Sequence, residues 1–398
     1  MLDWLKRHDP DRVFIETPEE VRTFGETVRA IEERPVEGTE VLRPWPYFSS
    51  VVDVLAVMSK GSAVIVAEEE PQAGAVDTAG AACVMYTSGT SGGAKAARLT
   101  TSNWEAAARA SAEHLGHGPE DTWLLAMPLH HVAGLSIVLR SAYTGGTVRM
   151  LAGFDPVSYA RELGSGVTMA SMVSTMLVRV LEIDPGPYPG LRAVLLGGGP
   201  IPDQLLEQAA EAGLPVLPTY GMTETCGQVA TLRPGSTLEN KAHPLPGVEL
   251  HIRDDGRIAV RGPMLSPGYV GEPDRAQDEW LVTGDMGDLD GEGALTVTGR
   301  ADTMIVSGGE NIDPGVVEEV LRRVPGVFAA LVVGVPSELW GTEAVCLYVG
   351  EAGPVRIESY LRDRVPGFMV PKRWLRVDEL PMTPMGKPDR AAAVRRFS

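Results

Sequence analysis

Short runs of aliphatic and β-branched residues alternate with longer stretches of helical period through most of the 398-residue chain. The runs SAVIVAE at 62–68, LRAVLLGG at 191–198 and LPVLPTYG at 214–221 predict strands, and the stretches between them predict helices. This alternation defines an α/β fold of layered subdomains with a largely parallel sheet. The pattern changes between 246 and 300. There PGVELHIRDDGRIAVRGP sets two alternating segments on either side of Asp254-Asp255-Gly256, a hairpin turn in a small β subdomain. After Arg300 it changes again, to strand-like MIVSGG, helical PGVVEEVLRRV, strands ALVVGV and AVCLYVG, and a final helix from about Ile357 to Arg364. That succession predicts a separate, small α+β lobe. The Ala-rich stretch at 106–112, preceded by Ser102-x-x-Glu105 as a capping box, predicts an ordinary helix.

With 44% hydrophobic residues the chain can bury a large core, and its length favours two or more domains. The net charge of -18 opposes non-specific association with nucleic acid or an anionic membrane. The expected partner is a small molecule, and any anion must be held by local design. Cys83, Cys226 and Cys346 lie far apart with no CxxC pair, so neither a disulfide framework nor a thiolate metal site is predicted and a reducing cytoplasm is the expected compartment. The N-terminal MLDWLKRHDPDR lacks the apolar centre of a signal peptide, and no run is long and apolar enough to predict a membrane span. A homodimer is the assembly left open as a further partner.

The densest chemical signal is Tyr86-Thr-Ser-Gly-Thr-Ser-Gly-Gly-Ala-Lys95, which follows the apolar run from Ala81 to Met85. Glycines let backbone N–H groups converge on an anion, the hydroxyls of Thr87, Ser88, Thr90 and Ser91 add donors, and Lys95 adds charge. With Gly89 and Gly92 at its bends, the segment suits a polyphosphate. It is not a Walker A loop, because Ala96 follows the lysine. By itself it is also compatible with a plain Ser/Gly surface loop. Pro128-Leu-His-His-Val-Ala-Gly134 offers paired histidines, but adjacent residues on a strand face opposite ways, which argues against a shared metal, and the HHxxxDG motif of acyl transferases needs an Asp that is absent. Gly197-Gly-Gly-Pro200 alone is a turn closing a strand.

Taken in order, these segments and five later ones resemble the acyl/aryl-CoA synthetase, adenylation-domain and luciferase superfamily of adenylate-forming enzymes. The resemblance runs from about Tyr86 to the C-terminus. It is weakest over the first 85 residues, where the family's first subdomain is expected in a shortened form. Loop 86–95 is similar to the family's TSGTTGxPKG, with Ala94 and Ala96 in place of Pro and Gly. The resemblance implies that His131 positions the carboxylate or gates thiol entry, and that Gly198 and Gly199 line the nucleotide and acyl pocket. In Tyr220-Gly-Met-Thr-Glu-Thr225 it implies that Tyr220 flanks adenine, Thr223 contacts phosphate and Glu224 helps hold Mg²⁺. Asp285 of Thr283-Gly-Asp285 would accept the ribose hydroxyls, Arg300 would reach ribose or phosphate, and Asp302 would be a hinge between an N-terminal domain (1–301) and a mobile C-terminal domain (302–398). Gly308 and Gly309 of SGGENIDP would border a pantetheine channel, and Lys387 of PMTPMGK would be the adenylation lysine.

The implied reaction is ATP-dependent ligation of a carboxylic acid to coenzyme A through an acyl-AMP, with ATP, Mg²⁺ and coenzyme A as cofactors. A stand-alone enzyme that loads a carrier-protein pantetheine, a ligase for another acid and a catalytically idle AMP-binding protein are the competing readings. Within the family, His131-Val-Ala-Gly-Leu-Ser-Ile-Val-Leu-Arg140 resembles members that act on an aromatic dicarboxylic acid of menaquinone biosynthesis, one carboxylate on a succinyl arm and one on the ring. Arg140 either snorkels to solvent or awaits an anion, and in the second case it would hold the ring carboxylate. Replacing Lys387 by Ala should lower acyl-AMP formation by orders of magnitude and spare thiolysis of presynthesised acyl-AMP, because the lysine's charge is needed only when the α-phosphate is attacked. Single-turnover assays of the two half-reactions check this, and an equal fall in both would remove the lysine from that role.

Overall fold

The computed structural model describes residues 1–67, 78, 80–87, 95–276, 278–301, 303–382 and 388–397, with Asn311 described by its backbone. Two compact units divide the chain: Met1–Thr283 with Asp288–Val297, and Gly284–Gly287 with Thr298–Ser398. Asp302 lies outside the described residues, so the boundary expected there stays a proposal.

The predicted α/β layering is realised in the first unit, where six strands run side by side and parallel. In spatial order they are Val13–Glu16, Thr147–Met150, Thr122–Leu125, Met169–Met172, Ala193–Leu196 and Val216–Met222. Val21–Thr23 joins one edge antiparallel, and Gly227–Thr231 followed by His243–Pro244 joins the other, completing nine strands. The inner strands are buried over most of their length, which is why AVLL and MASM read as continuous apolar runs rather than alternating ones. A second, five-stranded sheet holds Glu40–Leu42, Val64–Val66 and Cys83–Tyr86 in parallel, then Ala96–Leu99 and Gly268–Tyr269 antiparallel. One large core cluster includes the helix Phe48–Ser59 together with Trp104, Trp123 and Leu139, while a second lies around Tyr159, Leu177 and Val194. The expected β subdomain appears as the antiparallel pair Glu249–Ile252 and Arg257–Arg261, joined through the 254–256 turn with Gly256 at φ 78.

The helix Thr101–Leu115 exists as expected, but its cap is not Ser102-x-x-Glu105. The cap lies two residues earlier, at Thr100, whose hydroxyl accepts from Asn103 N at 3.1 Å while Asn103 Oδ1 accepts from Thr100 N at 3.0 Å. Asn103 also donates to the carbonyls of Pro263 and Leu265, so tertiary contacts select this register of the cap.

In the second unit a three-stranded sheet, Val327–Ser337, Gly341–Gly350 and Arg373–Arg376, packs against the helix Pro314–Arg322. The helix expected from Ile357 spans Pro354–Arg362, since proline suits the first helical position. It is not the last helix, because Arg390–Arg395 follows. Six residues are too few to show a period. This helix is instead secured by Asp389, which caps Ala392 N at 2.8 Å, and by Arg390, which donates to both oxygens of the buried Glu318 at 2.9 and 3.1 Å. Glu318 also accepts from Val332 N at 2.8 Å, so the ion pair ties the stretch after Lys387 to the sheet.

Candidate active site

Ligands of open α/β sheets bind beyond the carboxyl ends of the strands. Of the described site residues of the first unit, Thr87, Gly198, Gly199, Tyr220, Thr223 and Glu224 lie at or just past such strand ends. Thr87 follows Cys83–Tyr86, and its N–H donates to Lys95 O at 2.8 Å, closing the base of the loop. Ser88, Gly89, Thr90, Ser91 and Gly92 lie outside the described residues, as do Asp302 and Lys387. Gly198 and Gly199 are exposed just past Ala193–Leu196. Tyr220 belongs to Val216–Met222, and its hydroxyl meets Thr283 Oγ1 at 3.5 Å. Thr223 and Glu224 open a single 3₁₀ turn that ends at Cys226, a non-glycine residue at φ 54. Thr225 stabilises the turn internally, its hydroxyl donating to Met222 O at 3.0 Å or Gly227 O at 2.7 Å.

His131 caps the helix Val132–Thr144 rather than lying on a strand. The opposite-face argument therefore does not apply, and the rings of His130 and His131 sit 4.5 Å apart. Burial, reinforced by His131, pushes His130 down to about 4, so it is neutral near pH 7. Gly134 is required in this motif because a Cβ there would lie 2.3 Å from Pro128 O. Among the described residues no group of three or more His, Cys, Asp or Glu side chains could by itself hold a metal. Glu224 and Thr223 place one carboxylate and one hydroxyl side by side in the turn, and a Mg²⁺ arriving on nucleotide phosphates would need only one or two protein carboxylates.

Two residues of the site escaped the sequence reading. Tyr269 Oη donates to Glu224 Oε1 at 2.7 Å, and Lys95 Nζ lies 4.6 Å from the Tyr269 ring centre and 3.3 Å from Glu272. The SPGY context of Tyr269 signals a turn and nothing else. His117 follows Gly116, the C-cap of Thr101–Leu115, and reads as a loop residue, yet it is only 5% exposed and neither ring nitrogen has a hydrogen-bond partner.

His117 is buried beside Trp123, its ring edge-on at 5.4 Å, in a buried cluster that also holds Arg140. That side chain is 4% exposed, so it does not snorkel to solvent. Its guanidinium lies 5.7 Å over the Trp123 ring, and burial pushes its pKa down to about 10, leaving it charged at neutral pH. Among the described residues no carboxylate pairs with it. A Cβ on Gly227 would meet Arg140 Nη2 at 3.3 Å and Ser136 Oγ at 3.8 Å, which sets the guanidinium level with Ser136, one turn nearer His131 than its own Cα. Gly227 is three residues from Glu224, so this cation sits behind the 223–225 turn.

In the second unit Arg300 Nη1 donates to Asp285 Oδ1 at 3.0 Å, joining two predicted nucleotide ligands as an ion pair. Gly308 and Gly309, at φ 59 and 88, form the two-residue turn between Ile305–Ser307 and Glu310–Ile312, and Gly308 abuts the Trp340 ring.

The chain belongs to the AMP-binding enzyme family: the family model matches residues 10–270 and its C-terminal domain model matches 316–387. The similarity thus begins well before Tyr86. It is 38% identical over 333 residues to the 2-succinylbenzoate–CoA ligase of Listeria monocytogenes serotype 4b, covering 81% of this chain and 71% of that one. Two solved structures of o-succinylbenzoate CoA synthetase (MenE) from Bacillus subtilis are similar to it. The complex with the acyl-adenylate OSB-AMP has a TM-score of 0.89 at 30% identity, covering 98% of this chain and 97% of that one. The complex with ATP and magnesium ion has a TM-score of 0.86 at 30% identity, covering 98% of each. No helix among the described residues is long and apolar enough to cross a membrane.

His117 yields a test of this buried cluster. Burial, then the Arg140 charge, pushes its pKa from 6.5 to about 3, with Arg192 adding to the fall and Asp121 opposing it. The native state therefore refuses a proton that the unfolded state accepts, and stability falls as pH drops from about 6.5 toward 3. Each such histidine contributes at most about 1.4 kcal/mol per pH unit. Urea unfolding at pH 7 and pH 5 should show a smaller loss for His117→Phe than for the wild type. Equal losses would mean that the imidazole titrates normally.

Proposed function

We propose that this chain is an ATP-dependent, AMP-forming CoA ligase that activates the succinyl carboxylate of o-succinylbenzoate and recognises the ring carboxylate through Arg140. The observation that carries the substrate assignment is the buried, uncompensated guanidinium behind the 223–225 turn. A cation out of water needs an anion, and a second carboxylate on an otherwise apolar acid supplies it as a charge-assisted pair, directly or through water. Similarity to 2-succinylbenzoate–CoA ligases and to an enzyme crystallised with OSB-AMP supports the same substrate.

In the first half-reaction the succinyl carboxylate attacks the α-phosphate in line and pyrophosphate leaves, so the protein's task is to align two anions and offset their charge. Thr87, Ser88, Gly89, Thr90, Ser91, Gly92 and Lys95 cradle the phosphates, while Thr223 contacts the α-phosphate. Mg²⁺ held through Glu224 neutralises phosphate charge when bound. Tyr220 flanks the adenine, Asp285 exchanges its Arg300 partner for the ribose hydroxyls, and Arg300 turns to ribose or phosphate. Gly198 and Gly199 leave room for the acyl-adenylate, and Lys387 attends the α-phosphate. In the second half-reaction a thiolate replaces AMP, with His131 at the acyl carbonyl and Gly308 and Gly309 beside the pantetheine. Rotation of residues 302–398 about Asp302 against 1–301 exchanges the two arrangements. The proposal includes a cytoplasmic location, where the three buried free thiols are stable, and a homodimer as the assembly to test by light scattering.

Arg140→Ala should cost about 2–5 kcal/mol of selectivity for o-succinylbenzoate over an analogue lacking the ring carboxylate. Pyrophosphate release with each acid measures it. Loss of activity on both acids alike would contradict recognition by Arg140, and a wild-type preference for benzoate, a fatty acid or an amino acid would overturn the substrate while leaving the ligase chemistry in place.

A further inference from the structure

One short segment holds Glu224 from two directions. Ser266 N donates to the Glu224 carbonyl at 2.7 Å, and Tyr269 Oη donates to its carboxylate at 2.7 Å. The segment is itself fixed: the Ser266 hydroxyl meets the carbonyls of Arg98 and Gly268 at 2.7 and 2.9 Å and accepts from Gly268 N at 3.0 Å. Tyr269 also pairs opposite Ala97 in the strand that issues directly from Lys95. Lys95 Nζ then lies 4.6 Å from the ring centre of the same tyrosine. A single phenol thus touches the carboxylate on one side of the nucleotide site and the lysine that ends the phosphate loop on the other.

We propose that Tyr269 is a positioning residue that couples these two charges. Its hydroxyl orients the Glu224 carboxylate for a nucleotide-bound divalent cation, and its ring holds Lys95 where it can leave Glu272 for phosphate. The proposal rests on the reading of Glu224 as the metal carboxylate. A carboxylate with one oxygen engaged by a fixed donor keeps the other free for a cation and loses the freedom to rotate away, which is the usual service of an outer partner to a metal ligand. The Lys95–Glu272 pair is exposed on both sides, at 57% and 50%, and such a pair is held weakly enough for polyphosphate to displace it.

Calorimetric titration of the whole protein with ATP, without the acid substrate, tests this in buffers containing either Mg²⁺ or EDTA. Tyr269→Phe removes the hydroxyl and keeps the ring, so ATP affinity in Mg²⁺ should fall roughly tenfold, the scale of a hydrogen bond to a charged group, while affinity in EDTA stays unchanged. Tyr269→Leu also removes the ring, so affinity should fall in both buffers. Equal weakening by Tyr269→Phe in the two buffers, or no weakening in either, would overturn the proposal, with thermal melts showing that the variant is folded. Glu224→Gln separates this from the reading beneath it. If that variant keeps the full Mg²⁺ enhancement, Glu224 is not the metal carboxylate; if it loses the enhancement and Tyr269→Phe does not, only the role of Tyr269 fails.

Discussion

A guanidinium that is 4% exposed and faces no carboxylate among the described residues is the constraint around which the first unit is built. Removing one charge from water without an anion is costly, and the fold meets part of that cost with the Trp123 ring face and with the polar surroundings of Ser136 and His117. None of these neutralises the charge. His117 records the field from the other side, since burial and Arg140 together keep its imidazole unprotonated. Under the proposed function, the anion that balances this charge is a second carboxylate on the substrate.

The location of the cluster follows from ordinary sheet geometry. Parallel strands of the nine-stranded sheet present their carboxyl ends on one rim, and the connections beyond Leu125, Leu196 and Met222 carry the residues proposed to meet ligand. Because Val132–Thr144 begins at His131 on that rim, Arg140 lies nine residues deeper, about 13 Å along the helix axis, and its long side chain leans back toward the rim. Under the proposed function, one helix thereby provides both the residue beside the reacting carbonyl and the residue that recognises the far end of the acid. Gly134 lets the helix start directly against Pro128, which fixes its depth.

Local chemistry was legible in the sequence where one segment contains both partners of an interaction. The strand Val216–Met222 that carries Tyr220, the turn at Thr223 to Thr225 and the two-glycine turn at Gly308 are of that kind, as is the hairpin at Gly256. What escaped was long-range. Tyr269 acts on Glu224, forty-five residues away; Arg390 secures the last helix through Glu318, seventy-two residues away; and Asn103 caps its helix while bound to carbonyls beyond residue 260. No local pattern encodes such pairs. His117 was invisible for a related reason, since a histidine after a glycine C-cap is usually surface and only the tertiary fold buries it. The paired histidines were misread because the connection after Leu125 turns into a helix cap instead of continuing as a strand.

Under the proposed function, the charge of Arg140 is balanced by the substrate. A crystal structure of the protein with a non-hydrolysable o-succinylbenzoyl-adenylate analogue addresses it most directly. The ring carboxylate should lie within hydrogen-bond distance of the Arg140 guanidinium, or one water away, with the succinyl carbonyl near His131. A ring carboxylate turned to solvent or held by another cation, with the Arg140 guanidinium still bare, would contradict the claim.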